Sequence, residues 1–305
     1  MGVPVRVPHN IMSRLIDGLR SRFPDSLDDL VPDRIALARR FQRTFGRPLN
    51  LKNPQTFNEK LFWLMLYYRS PLVTRLADKY EVRTYVAERV GSKILNELYG
   101  VWERVADIDF AMLPEAFVLK VTWGSGMNIL CPKKSELNVR DTKEALALWM
   151  SRNYYWSWRE WCYKNIKPRI ICERFLSDSL WGTPPDYKFF CFGGEPRCVQ
   201  VDTTRFTQHG RDFFDLDWQL LPFNCGVYPS SGQTIARPSN LDEMAEFARR
   251  LSNGFPFVRV DFYAINGQTL FSEMTWYPGA ARLRFIPESY DRYWGDVLQL
   301  PGRKL

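Results

Sequence analysis

Residues 257–275 read FVRVDFYAINGQTLFSEMT. Two runs rich in β-branched and aromatic residues flank Asn266-Gly267, the strongest short-range signal for a two-residue hairpin turn. Arg259 and Asp261 share one face of the first strand, and Glu273 and Thr275 share one face of its partner. Two carboxylates meeting across a hairpin among apolar neighbours are costly unless a cation or an arginine stands between them. Mg²⁺ meets that need with oxygen ligands, above all when phosphates complete its shell. A carboxylate–arginine network buried for the sake of the fold meets it as well. Register sets a condition on the metal reading. A strict two-residue turn pairs Asp261 with Ser272 and sends Glu273 to the opposite face, because directly opposed residues point the same way and side chains alternate. Asp261 and Glu273 can therefore converge only if the loop is odd in length or a bulge lies near the turn.

Working outward, Tyr187–Phe192 and Arg197–Asp202 flank Gly193-Gly194 as a second hairpin, and Leu241–Leu251 has the spacing of a helix between the two. Ile170–Leu176 reads as a short strand. So do Phe117–Val121 and Met127–Cys131, on either side of Trp123-Gly-Ser-Gly126. The N-terminal part is helical in texture: Pro32–Phe45 closed by Gly46, a capping-box spacing at Thr56–Glu59 before the apolar run Leu61–Tyr68, and Asp78–Val90 closed by Gly91. Asp141–Tyr155 is expected to be one further helix. Runs of strands with few β-α-β units predict an α+β fold. The expected division is a helical region over 1–70 and a mixed domain over 71–305, the latter with one half near 110–176 and another near 177–290.

The chain has 305 residues and a formal net charge of +8 from 42 Lys/Arg and 34 Asp/Glu. That excess suits an anionic ligand, a nucleic acid or an acidic membrane without choosing among them. Residues 1–52 hold ten Lys/Arg against five Asp, a basic stretch that reads as a solvated helical face or a docking surface. The longest apolar run has eight residues, too few to span a bilayer, and nothing resembles a signal peptide, so a cytoplasmic chain is expected. The six cysteines include no C-x-x-C pair and read as buried free thiols. With only His9 and His209, the usual zinc sites are excluded, and a Ser-His-Asp hydrolase would have to rest on His209 without a G-x-S-x-G elbow.

Three further features can carry chemistry. Lys120 ends a strand before Gly124-Ser125-Gly126, which sets an ammonium beside backbone N–H groups able to approach phosphate oxygens; an ordinary hairpin turn explains G-S-G as well. Asp78-Lys79 with Arg83 offers a second cation, or a surface pair. Glu173 is the one acid in the apolar strand Ile170–Leu176, where a strand-end backbone and a carboxylate can read an adenine edge.

The order of these signals resembles the ATP-grasp ligases: D-K, strand-Lys-x-x-Gly-Ser-Gly, apolar-Glu-x-x-Leu, Arg-x-Asp, and Glu-x-Thr-x-x-Pro-Gly. More closely, FNEKLFWLMLYYRSP (57–71), FVLKVTWGSGMNIL (117–130), REWCYKNIKPRIICERFL (159–176) and GFPFVRVDFYAINGQTLFSEMTWYPG (254–279) resemble the TupA-like ATP-grasp family associated with teichuronopeptide and other surface-polysaccharide biosynthesis. The resemblance implies ATP clasped between two α+β subdomains. By position, Lys79 and Lys120 would meet ATP phosphates, and Gly124, Ser125 and Gly126 would form the loop over them. Glu173 and the backbone near Phe175 would meet the adenine, Asp178 the ribose, and Lys188 the nucleotide or a phosphate. Asp261, Glu273 and Thr275 would bind Mg²⁺, with Thr275 standing where such ligases usually place Asn. Arg259 would stabilise charge on the transferred phosphoryl group or on the tetrahedral intermediate. Trp123 stands where a His often precedes the loop. The implied reaction joins a carboxylate to an amine through an acyl phosphate. A uronic-acid glycan or its precursor and an amino acid would be its substrates, and residues 1–52 a peripheral contact to a membrane or a glycosyltransferase.

Two rivals come from different classes. Asp215-Leu-Asp217 is a D-x-D sequence of the kind that holds a metal and a nucleotide sugar in glycosyltransferases. Asn153–Trp161, rich in aromatics beside basic residues, is the nearest approach to a base-stacking surface; no nucleic-acid partner is expected, because half of those rings should be core.

Overall fold

The computed structural model describes residues 31–178, 184–203, 209–226 and 228–302. The expected helical character of residues 1–30 lies outside them. Helix α1 (Asp33–Phe45) buries Leu37 and Phe41, and the Gly46 N–H closes it on the Gln42 carbonyl. Helix α2 (Phe57–Tyr67) opens with the full capping box: Thr56 accepts the Glu59 N–H, and the Glu59 carboxylate accepts the Thr56 N–H. It is buried almost all round, as its apolar sequence requires.

Of the expected helix Asp78–Val90 only Val82–Val90 is helical (α4), and a separate short helix, α3 (Pro71–Ala77), precedes it. The Asp78 carboxylate accepts the N–H groups of Tyr80 at 2.7 Å and Glu81 at 3.1 Å, so Asp78 stands in a turn between them and not within a helix. The expected helix Asp141–Tyr155 splits, into α5 (Val139–Met150) and the single turn α6 (Tyr155–Trp158). Asn153, whose side chain accepts the Tyr155 N–H at 3.0 Å, marks the break.

The strands form two antiparallel sheets. In the first, β1 (Leu98–Trp102), β2 (Phe117–Val121), β3 (Asn128–Cys131) and β4 (Ile170–Arg174) lie in the order β1-β4-β2-β3. The second contains β5 (Asp186–Phe192), β6 (Glu195–Thr203), β7 (Gly210–Phe214), β9 (Phe257–Ile265) and β10 (Gln268–Thr275), in the order β10-β9-β5-β6-β7. A two-stranded ribbon pairs β8 (Asn224–Cys225) with β11 (Phe285–Ile286). Antiparallel sheets beside helices make this the α+β architecture expected. Helix α7 (Leu241–Ser252) packs on β5, β6 and β9 and buries Leu241, Met244, Ala248 and Leu251, one stripe at helical spacing. Helix α8 (Ser289–Val297) lies against α2, where Asp291 accepts both the backbone and side-chain N–H of buried Asn58.

All six cysteines are free and buried. Among the described residues, no helix is long and apolar enough to cross a membrane.

Candidate active site

The hairpin of β9 and β10 turns at Asn266-Gly267 with positive φ at both residues, 51° and 75°, and pairs Ile265 with Gln268. That is the strict two-residue loop, which alone would set Asp261 against Ser272. The ladder instead slips by one residue between Phe271 and Glu273, so Asp261 faces Glu273 and Arg259 faces Thr275. The bulge demanded by the metal reading is present at Ser272. It brings Arg259, Asp261, Glu273 and Thr275 onto one face of the sheet.

An arginine also stands between the carboxylates. Arg259 Nε donates to Asp261 Oδ1 at 2.7 Å, and one terminal nitrogen donates to Asp261 Oδ2 at 2.6 Å, to Thr275 Oγ1 at 3.0 Å and to Glu273 Oε1 at 3.4 Å. Thr275 Oγ1 donates in turn to Glu273 at 3.1 Å. Lys188, directly opposite Asp261 on β5, reaches Asp261 Oδ2 at 3.4 Å and donates to Asp186 at 2.7 Å. Burial would raise the Glu273 carboxyl, but Lys79, Arg259 and Lys188 outweigh it and hold Glu273 at about 2. Burial would likewise strip the Lys188 proton, and Asp186, Asp261 and Asp202 outweigh it and raise Lys188 instead. The Asp261 side chain is 1% exposed and that of Glu273 33%, so the acidic pair is approached from the Glu273 side.

The second cluster lies on the four-stranded sheet. Lys120 Nζ donates to Glu173 Oε2 at 2.7 Å, and Arg83 donates to Glu173 Oε1 at 3.0 Å. Glu173 thus spends both oxygens on cations, and burial fails to discharge Lys120 because this carboxylate raises it. The two clusters are joined by Lys79. Its Nζ donates to the Gly124 carbonyl at 2.7 Å and lies 3.7 Å from Glu273 Oε2, tying the glycine loop to β10. Gly124 has φ +68°, and a Cβ there would lie 2.6 Å from the Tyr154 ring, so the loop closes against an aromatic that tolerates no side chain.

Ser125 and Gly126 lie in the same turn between β2 and β3, Ser125 exposed. Phe175 is half-buried just past β4. Asp178 lies beyond it, and its charge, after burial, helps raise the Tyr187 hydroxyl to about 12. Most of the predicted residues thus form two linked groups: Lys79, Lys120, Glu173 and the glycine loop, and Arg259, Asp261, Glu273, Thr275 and Lys188, with Phe175 and Asp178 in the segment after β4.

Sequence reasoning missed three features. Asp186, Gln200, Asp202 and Arg211 continue the polar face across β5, β6 and β7. Asp202 accepts from Arg211 at 2.7 Å and from Gln200 at 3.0 Å. The alternation D-Y-K and Q-V-D within apolar strands was the available signal. Arg83, named in the sequence beside Asp78-Lys79, was not foreseen as a partner of Glu173. Glu160, 5% exposed, is pushed up to about 8 by burial, against the pull of Arg40 and Arg282; a charged pair, Arg159-Glu160, inside a run of aromatics was its signal.

The rival motifs settle elsewhere. The Asp215 carboxylate accepts the Gln219 N–H at 2.7 Å within a turn after β7, at the edge of the sheet opposite β10. In the aromatic stretch Tyr154 and Tyr155 are buried, and the Trp158 ring is met by the guanidinium of Arg282 at 3.7 Å and of Arg40 at 4.9 Å. Trp156, Trp158 and Trp161 are half-buried. His209 stacks on Tyr228 with ring centroids 3.5 Å apart.

The oxygen donors of Asp261, Glu273 and Thr275 suit a hard cation such as Mg²⁺, which is usually held by one or two carboxylates together with phosphates. Lys79, Lys120 and the glycine loop suit those phosphates.

Comparison with solved structures gives distant likenesses. They include the ATP-grasp ligase PsnB with its minimal precursor (12% identity, 68% of this chain and 55% of that one, TM-score 0.39). A D-alanine–D-alanine ligase from Bacillus anthracis complexed with ATP gives 12% identity, 67% and 56% coverage, and TM-score 0.38. D-cycloserine synthetase DcsG gives 14% identity, 75% and 72% coverage, and TM-score 0.42. The chain thus spans little more than half the length of the first two. No curated protein matches it by sequence. The family model of TupA-like ATP-grasp proteins matches residues 59–299, a stretch that holds both clusters and the loop between them, and the chain belongs to that family.

Proposed function

We propose that this protein is an ATP- and Mg²⁺-dependent carboxylate–amine ligase. The observation that carries this reading is the bulge at Ser272, which aligns Asp261, Glu273 and Thr275 on one face beside Arg259 while Lys79 ties that face to the glycine loop. In the reaction, a substrate carboxylate attacks the γ-phosphorus of ATP, the bond to the bridging oxygen breaks, and ADP leaves. The resulting acyl phosphate is attacked by an amine; the carbon–oxygen bond to phosphate breaks, and an amide, phosphate and a proton are released. Asp261 and Glu273, with Thr275, would hold Mg²⁺, which supplies charge neutralisation on the phosphates when bound. Lys79 and Lys120 neutralise phosphate oxygens, the loop Gly124–Gly126 covers them, and Arg259 meets charge developing on the transferred group. Glu173 and the backbone near Phe175 would border the adenine, with Asp178 toward the ribose.

The family's association points to a uronic-acid carboxyl of a surface polysaccharide or its precursor, joined to an amino acid in the cytoplasm. Basic residues 1–52 would contact a membrane or a glycosyltransferase. The test is ADP release from ATP with glucuronate-containing oligosaccharides and a set of amino acids. ADP release that requires Mg²⁺, the carboxylate and the amine together, and is lost in Glu273→Gln, supports the reading. Turnover of a nucleotide sugar, abolished by Asp217→Ala and untouched by Glu273→Gln, overturns it.

A further inference from the structure

The guanidinium of Arg259 touches all three residues assigned to the metal, and its Nε and one terminal nitrogen take both oxygens of Asp261. It therefore fills the space between the carboxylates that a divalent cation would need. Two cations cannot share that space, because their repulsion is strong where Asp261 is almost wholly removed from water. Asp261 has a second partner behind it: Lys188 at 3.4 Å, itself anchored to Asp186, so Asp261 keeps a counter-charge if the guanidinium leaves. Glu273, a third exposed, lies on the open side, where an incoming ion arrives first.

We infer that Arg259 is an exchangeable counter-ion, which holds the acidic pair in place as a stand-in cation and is displaced from Asp261 when Mg²⁺ enters with a nucleotide. This rests on the ligase reading above. The exchange has a direction built into its charges. A metal entering alone leaves the guanidinium without an anion, whereas a metal entering with phosphates supplies one. Metal and nucleotide binding are thereby coupled through one side chain, and the same movement delivers Arg259 to the phosphoryl group it is to neutralise.

The experiment titrates Mn²⁺ by electron paramagnetic resonance against the full chain, in the absence and presence of ATP. Removing the competitor should help the metal. Without nucleotide, Arg259→Ala is expected to bind Mn²⁺ at least about tenfold tighter than the wild type, within the usual range of coupling between sites. Arg259→Lys, with a single ammonium in place of the fork, should fall between them. The gain should vanish in Arg259→Ala/Glu273→Gln, which places it at this pair. A folded Arg259→Ala that binds Mn²⁺ no tighter than wild type overturns the exchange, as does a gain that survives Glu273→Gln. If Arg259→Ala does not fold, Arg259→Lys decides in the same direction. A wild type that binds Mn²⁺ with ATP while neither variant gains affinity defeats the exchange alone. A wild type that ignores Mn²⁺ and ATP together defeats the ligase reading, and the exchange with it.

Discussion

On the four-stranded sheet, one buried carboxylate, Glu173, is held by two cations, Lys120 and Arg83. On the five-stranded sheet the acids outnumber the bases: Asp261, Glu273, Asp186 and Asp202 share Arg259, Lys188 and Arg211. Each sheet buries ionic groups that would be cheaper as hydrophobics if only stability mattered. The first leaves a surplus of positive charge and the second a surplus of negative charge. A polyphosphate carrying a divalent metal has the complementary pattern, and Lys79 spans the seam between the two clusters.

The comparison can be broken most severely on the cationic side. Lys120→Met removes a proposed phosphate partner and leaves Glu173 with Arg83 alone; ATP affinity measured by calorimetry should fall by about 100-fold, the scale of a charge-assisted contact of 2–3 kcal/mol. Glu173→Gln frees both cations, so its loss of ATP affinity, confined to the adenine edge, should be much smaller than that of Lys120→Met, while it costs the fold about 1–3 kcal/mol by chemical denaturation. Equal losses of affinity in the two variants would contradict the assignment of surplus positive charge. Next in size is Gly124→Ala. Its Cβ collides with the Tyr154 ring at a left-handed backbone position, so the loop must shift, and ATP affinity should drop about tenfold with a stability loss of about 1–3 kcal/mol.

Acidity sharpens the comparison in a different way. Glu160 sits at about 8 in the folded protein against an ordinary 4.5, so the folded state holds a proton that the unfolded chain has lost between those values. Its contribution therefore falls as pH rises from about 4.5 to about 8. Glu160→Gln removes that slope, and its stability relative to wild type should grow through this window, by up to about 5 kcal/mol, and level off above it. Glu273, held at about 2, works in the opposite sense: its stabilisation is present above the ordinary value and lost only as pH falls toward 2. A relative stability of Glu160→Gln that stays flat from pH 5 to 8 would contradict the assigned environment of Glu160. The smallest effect is expected from deleting Ser272. The deletion removes the extra residue and leaves Glu273 opposite Asp261 and Thr275 opposite Arg259, so Mg²⁺-dependent ATP binding should persist.

Much of this was legible before any coordinates. Strands announced themselves by β-branched runs and by Asn-Gly and Gly-Gly turns, and the capping box at Thr56–Glu59 fixed the start of α2. The late start of α4 at Val82 was hidden because Asp78-Lys-Tyr-Glu81 fits a helical pattern; what holds it as a turn is the Asp78 side chain, which accepts the Tyr80 and Glu81 N–H groups. The site was legible as a conditional. The sequence could show that Asp261 and Glu273 needed a bulge and a cation, but a bulge at Ser272 has no residue signature of its own. Glu160 was invisible for another reason: its environment comes from Arg40, Arg282 and the hairpin of β9 and β10, more than 90 residues away in the chain, and no local pattern records such a meeting.

The most direct test of the two-cluster account is a calorimetric titration of ATP with and without Mg²⁺ on the wild type and on Glu273→Gln, at one pH and ionic strength. The account predicts binding by the wild type that strengthens markedly with Mg²⁺, and a Glu273→Gln variant that retains weak ATP binding through Lys79 and Lys120 but gains nothing from the metal. An identical Mg²⁺ response in both proteins would contradict it.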